Sequence, residues 1–216
     1  MSLADRLRAL RDRIEQVCAS VDRDPQGVTL VAVSKTFSVD AIREAYDAGL
    51  RHFGESRLQE AEPKIAALPD DIVWHFVGKL QSNKARRVAS QFSVVHTLES
   101  PSQIREIAKA EATIDGLIEI NIADEPQKSG IRLAALDEFV QECLHCDRVR
   151  LRGLMTIGPQ VQNAEDMRPY FRKLRERLSE VPKGTWLSMG MSSDSDVAIQ
   201  EGATHIRVGT ALFGVR

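Results

Sequence analysis

The chain has 216 residues, of which 43% are hydrophobic and 28% are charged, and this composition predicts one large domain over residues 1–216. Lys and Arg (29) nearly balance Asp and Glu (31), so the net charge of −2 offers no general attraction for nucleic acid. The first residues form a charged amphipathic pattern without the apolar core of a signal peptide, and no other segment approaches membrane-spanning length. We therefore expect a cytoplasmic protein, a monomer or weak dimer, without a membrane or nucleic-acid partner.

Apolar runs alternate with amphipathic stretches along the whole chain. After an amino-terminal helix over Leu3 to Val21, the predicted strands are Val28 to Lys35, His52 to Glu55, Ile72 to Gly78, Val94 to Leu98, Gly116 to Ile122, Arg150 to Ile157, Trp186 to Met191 and His205 to Phe213. The predicted helices between them are Asp40 to Ala48, Leu58 to Ala67, Asn83 to Gln91, Pro101 to Ala110, Leu133 to His145, Ala164 to Ser179 and Asp194 to Glu201.

Strict alternation of eight strands with seven helices predicts parallel strands and right-handed crossovers, the pattern of an α/β protein with a closed (β/α)8 TIM-type barrel. The extra amino-terminal helix is expected to pack beside the first and last strands, in place of an eighth helix. An open doubly wound sheet is the alternative.

Lys35 stands at the end of the first predicted strand, where a buried strand meets solvent. A neutral lysine amine can form a Schiff base with a carbonyl compound, and an apolar setting favours the neutral form. A solvated strand end is the plainer interpretation of a lone lysine at this position.

The loops after strands seven and eight are suited to an anion, which is where barrels of this type commonly hold phosphate. Ser192 and Ser193 lie in a turn of small residues that opens a helix, so free backbone N–H groups and hydroxyls can act as donors. At strand eight, Gly209 permits close approach of the backbone and Thr210 adds a hydroxyl. Ordinary helix capping explains either loop equally well when it is taken alone.

A closed barrel makes strands one and eight neighbours, so the amine of Lys35 would face this phosphate cradle. An aldehyde that carries a phosphate would bridge them, and pyridoxal 5′-phosphate (PLP) is such a molecule. Arg207, on strand eight, could donate a hydrogen bond to the pyridine nitrogen. Because arginine keeps its proton, such a cofactor would be a weak electron sink.

Several segments resemble one family closely. They are Val31–Thr36, Phe53–Glu55, Trp74–Lys84, Glu119–Ile122, Lys128–Gly130, Arg152–Met155, Leu187–Ser192 and Arg207–Gly214. On these segments the chain resembles the pyridoxal phosphate homeostasis proteins, small single-domain relatives of the alanine racemase amino-terminal barrel. The resemblance implies the same barrel, with PLP as its cofactor and PLP-dependent apoenzymes as possible partners.

The resemblance also implies a role for particular residues. Lys35 would form the Schiff base, Ser192, Gly209 and Thr210 would contact the phosphate, and Arg207 would approach the pyridine nitrogen. Ser56 stands where the family usually has asparagine, so a cofactor contact there would need a shorter reach or a water.

His75 and two cysteines have more than one interpretation. His75, predicted to lie near the end of strand three, is either an acid–base group that faces the cofactor ring or a structural hydrogen-bonding residue. Cys143 and Cys146 form a C-x-x-C pair at the end of a predicted helix, with no second Cys/His pair to complete a metal site, so no metal is expected.

Three functions remain open from the sequence. The first is a protein that binds and delivers PLP without efficient catalysis, because racemase relatives place a tyrosine from an additional domain opposite the lysine, while Tyr46 and Tyr170 fall in predicted outer helices. The second is a weak PLP-dependent amino-acid racemase. The third is a phosphosugar-binding barrel in which Lys35 is an electrostatic contact.

Overall fold

The computed structural model describes residues 1–214. Eight parallel strands follow each other around a closed barrel in the order of the sequence, with the first strand hydrogen-bonded to the last. The strands are β1 Thr29–Val33, β2 His52–Glu55, β3 Val73–Phe76, β4 Val94–Leu98, β5 Ile114–Ile120, β6 Val149–Thr156, β7 Trp186–Ser188 and β8 His205–Val208. The predicted closed barrel is therefore confirmed, and the open doubly wound sheet is wrong.

Helices surround the barrel and connect successive strands. They are α1 Leu3–Ala19, α2 Val39–Asp47, α3 Leu58–Ala67, α4 Ser82–Gln91, α5 Pro101–Ile107, α6 Leu136–Leu144, α7 Arg168–Arg177, α8 Ser195–Gln200 and α9 Thr210–Phe213. Short 3-10 turns extend α6 and α7 at their ends, which accounts for the longer helices predicted there. None of the helices in residues 1–214 combines the length and apolar character needed to span a membrane.

The amino-terminal helix α1 completes the outer layer of helices. It packs against α8, α9 and α2, and its buried face includes Leu7 and Ile14. Arg6 donates from Nε to the carbonyl oxygen of Leu212 at 2.5 Å, and Arg23 donates to that of Ala203 at 3.0 Å. The predicted substitution of this helix for an eighth barrel helix is thus observed.

The last predicted strand is too long. It was expected to reach Phe213, but β8 ends at Val208 and the chain turns at once into α9. The amides of Leu212 and Phe213 both donate to the carbonyl oxygen of Gly209, at 3.0 and 2.9 Å, which closes a helical turn in place of strand pairing. An apolar run of this length cannot by itself separate a strand from one helical turn.

The barrel interior is crowded beneath its carboxyl end. A Cβ atom on Gly54 of β2 would lie 3.1 Å from a methyl group of Val31 and 3.4 Å from one of Val77. In the loop two residues after β3, a Cβ atom on Gly78 would collide with the carbonyl group of Ser56. Glycine at these two positions lets neighbouring strands and their loops approach closely enough to form a packed floor under the mouth of the barrel.

Candidate functional site

A cavity of about 350 Å³ opens at the carboxyl ends of the strands, the end at which barrels of this type place their sites. Its lining residues are Val33, Lys35, Val77, Ile157, Met191, Ser192, Ser193, Arg207, Gly209 and Thr210. The structure thus brings together five predicted site residues, Lys35, Ser192, Arg207, Gly209 and Thr210. The volume lies in the range of small-molecule sites.

Lys35 lies in a turn that follows β1. The strand ends at Val33, two residues earlier than predicted, and the amide of Phe37 donates to the carbonyl oxygen of Ser34 at 3.1 Å. Thr36 has a positive φ of 68°, which is uncommon for a β-branched residue and shows that the turn is held by its surroundings. The turn places the exposed side chain of Lys35 at the mouth of the barrel.

A second lysine holds this turn in place. Lys64 of α3 is 5% exposed, and its Nζ donates to the carbonyl oxygen of Ser34 at 3.0 Å. The same Nζ donates to Oε1 of Glu55 and to Oε1 of Glu60, both at 2.8 Å, so three acceptors match the three donors of an ammonium group. Glu60 Oε1 also accepts the amide of Thr36. Lys64 therefore fixes the backbone on both sides of Lys35.

The pKa values of the two carboxyl groups around Lys64 are shifted in opposite directions. Burial raises the pKa of Glu55, which is 0% exposed, while hydrogen bonds from Lys64 and Ser34 counter the rise. Burial also acts to raise the pKa of Glu60, but hydrogen bonds from Lys64 and the Thr36 amide bring it below its usual value. Sequence analysis missed Lys64, although its spacing from Leu58 and Ala61 places it on the buried face of α3.

The loops after β7 and β8 present donors to the cavity. The amides of Ser192 and Ser193 donate to no protein acceptor within residues 1–214, and both hydroxyl groups are exposed. A Cβ atom on Gly209 would touch only Val33, at 3.4 Å or more, so the glycine leaves open space beside the loop. Gly190, with φ of 91°, provides the bend that directs the first loop over the barrel.

Arg207 is buried in the wall of the cavity, with 6% of its surface exposed. Its Nη1 donates to Ser188 Oγ at 2.5 Å and its Nη2 donates to the carbonyl oxygen of Thr156 at 2.9 Å. Burial lowers the pKa of Arg207 to about 10, against the attraction of Glu119 and Asp194. The guanidinium remains a cation and a hydrogen-bond donor at neutral pH.

His75 and Ser56 do not line this cavity. His75 accepts or donates hydrogen bonds with His52 at 2.9 Å and with His96 at 2.8 Å, inside the barrel, which agrees with the structural interpretation and not with a group facing the cofactor ring. Ser56 lines a neighbouring cavity together with Lys79 and Lys84. The cofactor contacts of His75 and Ser56 stay predictions.

Glu119, at the upper end of β5, is a titratable group that sequence analysis did not single out. It lines a cavity of about 200 Å³ that shares Val77 and Ile157 with the first cavity, and its side chain is hydrogen-bonded to no group in residues 1–214. Burial, with a smaller contribution from Glu99, raises the pKa of Glu119 to about 7. A carboxyl group with a pKa in this range is suited to general acid–base chemistry at neutral pH.

The cysteines lie away from the cavity. Cys18, Cys143 and Cys146 are all buried, and burial raises the pKa of the Cys143 thiol to about 12. Within residues 1–214, no cluster of three or more His, Cys, Asp or Glu side chains has the arrangement of a metal site.

Comparison with known proteins identifies the family. Residues 6–216 match the family described as alanine racemase, N-terminal domain. The chain is 41% identical over 226 residues to a pyridoxal phosphate homeostasis protein of Aquifex aeolicus, covering 100% of this chain and 99% of that protein. It is also 41% identical over 229 residues to the protein of the same name from Escherichia coli K12, covering 99% and 97%. The chain belongs to the family of pyridoxal phosphate homeostasis proteins.

The fold agrees with that of a solved relative. The structure of PipY from Synechococcus elongatus PCC7942 with PLP bound is 37% identical, has a TM-score of 0.84 and covers 99% of this chain and 100% of that one. An alanine racemase of Bartonella henselae shares the fold, with a TM-score of 0.72 and 17% sequence identity. The match covers 96% of this chain and 59% of the racemase chain. The resemblance seen in the sequence is confirmed at the level of family and fold.

We predict that Lys64→Met lowers the free energy of unfolding by about 3–5 kcal/mol, because it leaves the Glu55 carboxylate buried without its cation. Amide hydrogen exchange at Thr36 should accelerate more than exchange in the barrel strands, since Glu60 loses the lysine that orients it. Lys109→Met, which removes an exposed lysine paired with Glu106, is the control. Its free energy of unfolding should stay within about 0.5 kcal/mol of the wild-type value. Equal effects of the two substitutions in urea unfolding would contradict the role assigned to Lys64.

We predict that Glu119→Gln changes the pH dependence of stability. The carboxyl pKa is about 7 in the folded chain and 4.5 in the reference state, so between these values the folded protein keeps a proton that the unfolded chain has released. The wild-type free energy of unfolding should therefore fall as the pH rises from 4.5 to 7, by roughly 1–3 kcal/mol relative to the variant.

Urea unfolding at pH 5 and pH 8 measures this difference. Glu111→Gln, at an exposed position, is the matched control and should follow the wild-type protein at both pH values. If Glu119→Gln also follows the wild type at both, the carboxyl group titrates normally in the folded chain.

Proposed function

We propose that this protein binds PLP as a Schiff base on Lys35 and acts in the homeostasis of the cofactor, which it holds and delivers without efficient catalysis. One observation carries the proposal: the amine of Lys35, the buried guanidinium of Arg207 and the unpaired donors after β7 and β8 line a single cavity. An aldehyde, a ring nitrogen and a phosphate on one small molecule require these three kinds of group in one place.

The phosphate is assigned to the loops after β7 and β8. Amides of Ser192 and Ser193 that lack protein acceptors, together with the hydroxyl groups of Ser192 and Thr210, can surround phosphate oxygens with donors. Gly209 adds room for the backbone to approach. The pairing of Val31 with Arg207 between β1 and β8 keeps this anion site next to the turn that carries Lys35.

Arg207 is assigned to the pyridine nitrogen. A permanent donor at this position keeps the nitrogen unprotonated, so the ring withdraws electrons weakly from any group attached to the aldehyde carbon. Weak withdrawal disfavours reactions at the α-carbon of an amino acid. This property supports storage and delivery over catalysis.

The relatives support the homeostatic part of the proposal. Proteins with 41% identity over nearly their whole length are named pyridoxal phosphate homeostasis proteins, and PipY has been solved with PLP bound. We infer that the recipients are PLP-dependent apoenzymes in the cytoplasm.

A weak amino-acid racemase is the second candidate, and Glu119 favours it. Racemisation requires a second proton-transfer group in addition to the lysine. Neither tyrosine supplies one, since Tyr46 donates its hydroxyl to Asp71 at 2.7 Å on the outer layer and Tyr170 lies on α7. Glu119, on β5 across the barrel from β1, has a pKa near 7 and adjoins the cavity that contains Lys35.

We predict that Lys35→Ala abolishes the visible absorption band that appears when PLP is added to the purified protein, because Lys35 is assigned the only covalent link. Borohydride reduction followed by peptide mapping should place the label on Lys35 in the wild-type protein. Lys79→Ala, at an exposed lysine of a neighbouring cavity, is the control and should retain the band. An undiminished, reducible adduct in Lys35→Ala would move the link to another lysine.

We predict measurable transfer of PLP to an apoenzyme and negligible racemisation of common amino acids. Transfer is measured as activation of the apoenzyme in the presence of a trap for free PLP, and racemisation as deuterium incorporation at the α-carbon. If PLP reaches the apoenzyme no faster than it is spontaneously released, the delivery role is wrong and only a storage role is left. Efficient racemisation that is lost in both Lys35→Ala and Glu119→Gln would establish the racemase in its place.

A further inference from the structure

Three histidines form a continuous hydrogen-bonded row inside the barrel that ends on Arg207. His52 Nδ1 lies 2.9 Å from His75 Nε2, and His75 Nδ1 lies 2.8 Å from His96 Nε2. His96 Nδ1 lies 2.8 Å from Ser188 Oγ, which accepts from Arg207 at 2.5 Å. The row therefore crosses from β2 through β3 and β4 to β7 and β8.

The far end of the row lies near the amino-terminal face of the barrel. His52 and His75 line a cavity of about 360 Å³ there, together with Thr29, Trp186 and His205. The row thus joins this end of the barrel to the arginine at the cofactor cavity.

The donor at one end sets the direction of every hydrogen bond. Arg207 can only donate, so Ser188 Oγ accepts from it. His96 Nδ1 is the other hydrogen-bonding partner of Ser188 Oγ within residues 1–214, so it is the acceptor available to the hydroxyl hydrogen. A neutral His96 then carries its proton on Nε2 and donates to His75, which by the same logic donates from Nε2 to His52. All three imidazoles are expected in the Nε2–H form.

The neutral state of the row follows from its surroundings. Burial, with the neighbouring histidines, holds the pKa values of His75 and His96 well below the usual value, and Arg207 adds to the effect at His96. A charged imidazole beside a buried guanidinium would meet like charge in a medium of low dielectric. The row therefore transmits the orientation and polarity of hydrogen bonds, not charge.

Arg207 depends on neutral partners to an unusual degree. A buried guanidinium is ordinarily paired with a carboxylate, yet no carboxylate within residues 1–214 makes a salt bridge to Arg207, and its protein acceptors are Ser188 Oγ and the Thr156 carbonyl. Hydrogen bonds that run in one direction along a chain strengthen each other, so His96 makes Ser188 a better acceptor for the arginine.

We propose that Ser188 and His96 are positioning residues for Arg207, and that His75 and His52 complete a directional row which holds the guanidinium aimed at the ring nitrogen of the ligand. This inference rests on the proposed binding of PLP. The three histidines of the row do not line the cofactor cavity themselves, so their effect on the ligand is exerted through Arg207.

The test compares PLP with its 1-deaza analogue, in which C–H replaces the ring nitrogen. The wild-type protein should prefer PLP, and Ser188→Ala and His96→Leu should reduce that preference about tenfold, because the donor is no longer aimed. His96→Asn keeps an acceptor near the position of Nδ1 and should restore most of the preference. Equal losses of affinity for both ligands in Ser188→Ala and His96→Leu would overturn the proposal.

His205→Gln is the matched control. His205 is also buried, its ring lies 6.0 Å from those of His75 and His96, and it bonds to Thr204 at 2.9 Å outside the row. The preference for PLP should be unchanged in this variant. A loss as large as that of His96→Leu would mean that general packing, not the row, orients Arg207.

Nitrogen-15 NMR of the unliganded wild-type protein tests the row without any substitution. His52, His75 and His96 should each show an unprotonated Nδ1 and a protonated Nε2 at pH 7, and a protonated Nδ1 on His96 would overturn the proposal. Equal affinity of the wild-type protein for PLP and the analogue would overturn this proposal but leave PLP binding intact, whereas no binding of either ligand would overturn the proposed function itself.

Discussion

The buried ammonium of Lys64 is the interaction on which the candidate site depends. It ties the Ser34 carbonyl, Glu55 and Glu60 together, and through Glu60 it holds the amide of Thr36. Burying such a cluster yields little net stability, because the loss of hydration offsets most of the attraction between the charges. Its effect is geometric: hydrogen bonds on both flanks of Lys35 hold the turn in which Thr36 has a positive φ. The exposed lysine is thereby presented by a turn whose backbone is hydrogen-bonded on both sides.

Closure of the barrel then supplies the rest of the site. Pairing of β1 with β8 sets Val31 opposite Arg207, so the turn after one strand and the loop after the other become neighbours despite their separation in sequence. Beneath them, Gly54 and Gly78 let the strands approach closely. A sheet with the same strand order that did not close would have left Lys35 and Gly209 at opposite edges, too far apart for one small ligand to bridge.

The sequence predicted what depends on periodicity and on chain order. Eight alternations predicted the barrel, and the barrel predicted that Lys35, Ser192 and Thr210 share one cavity. Prediction from the sequence failed for contacts between residues that are distant along the chain. The residues near Lys64 in the sequence do not indicate that the Ser34 carbonyl is its acceptor. Those near His96 do not indicate its partner Ser188, which is 92 residues away. The predicted end of β8 was wrong for a local reason, since Gly209 starts a helical turn within an apolar run that also fits a strand.

The charges around the cavity explain why a phosphorylated aldehyde suits it. The buried guanidinium of Arg207 is cationic, and the donors of the two loops add positive potential, while burial raises the pKa of Glu119, which lines the adjoining cavity, to about 7. Burial lowers the pKa of Arg207, and the attraction of Glu119 and Asp194 offsets only part of this effect. The protein therefore compensates the charge of Arg207 only in part. On the proposed function, the anionic cofactor supplies the missing compensation, so binding and the electrostatic stability of the barrel wall are linked. A row of neutral histidines is suited to such a wall, because it orients the arginine without neutralising the charge that attracts the ligand.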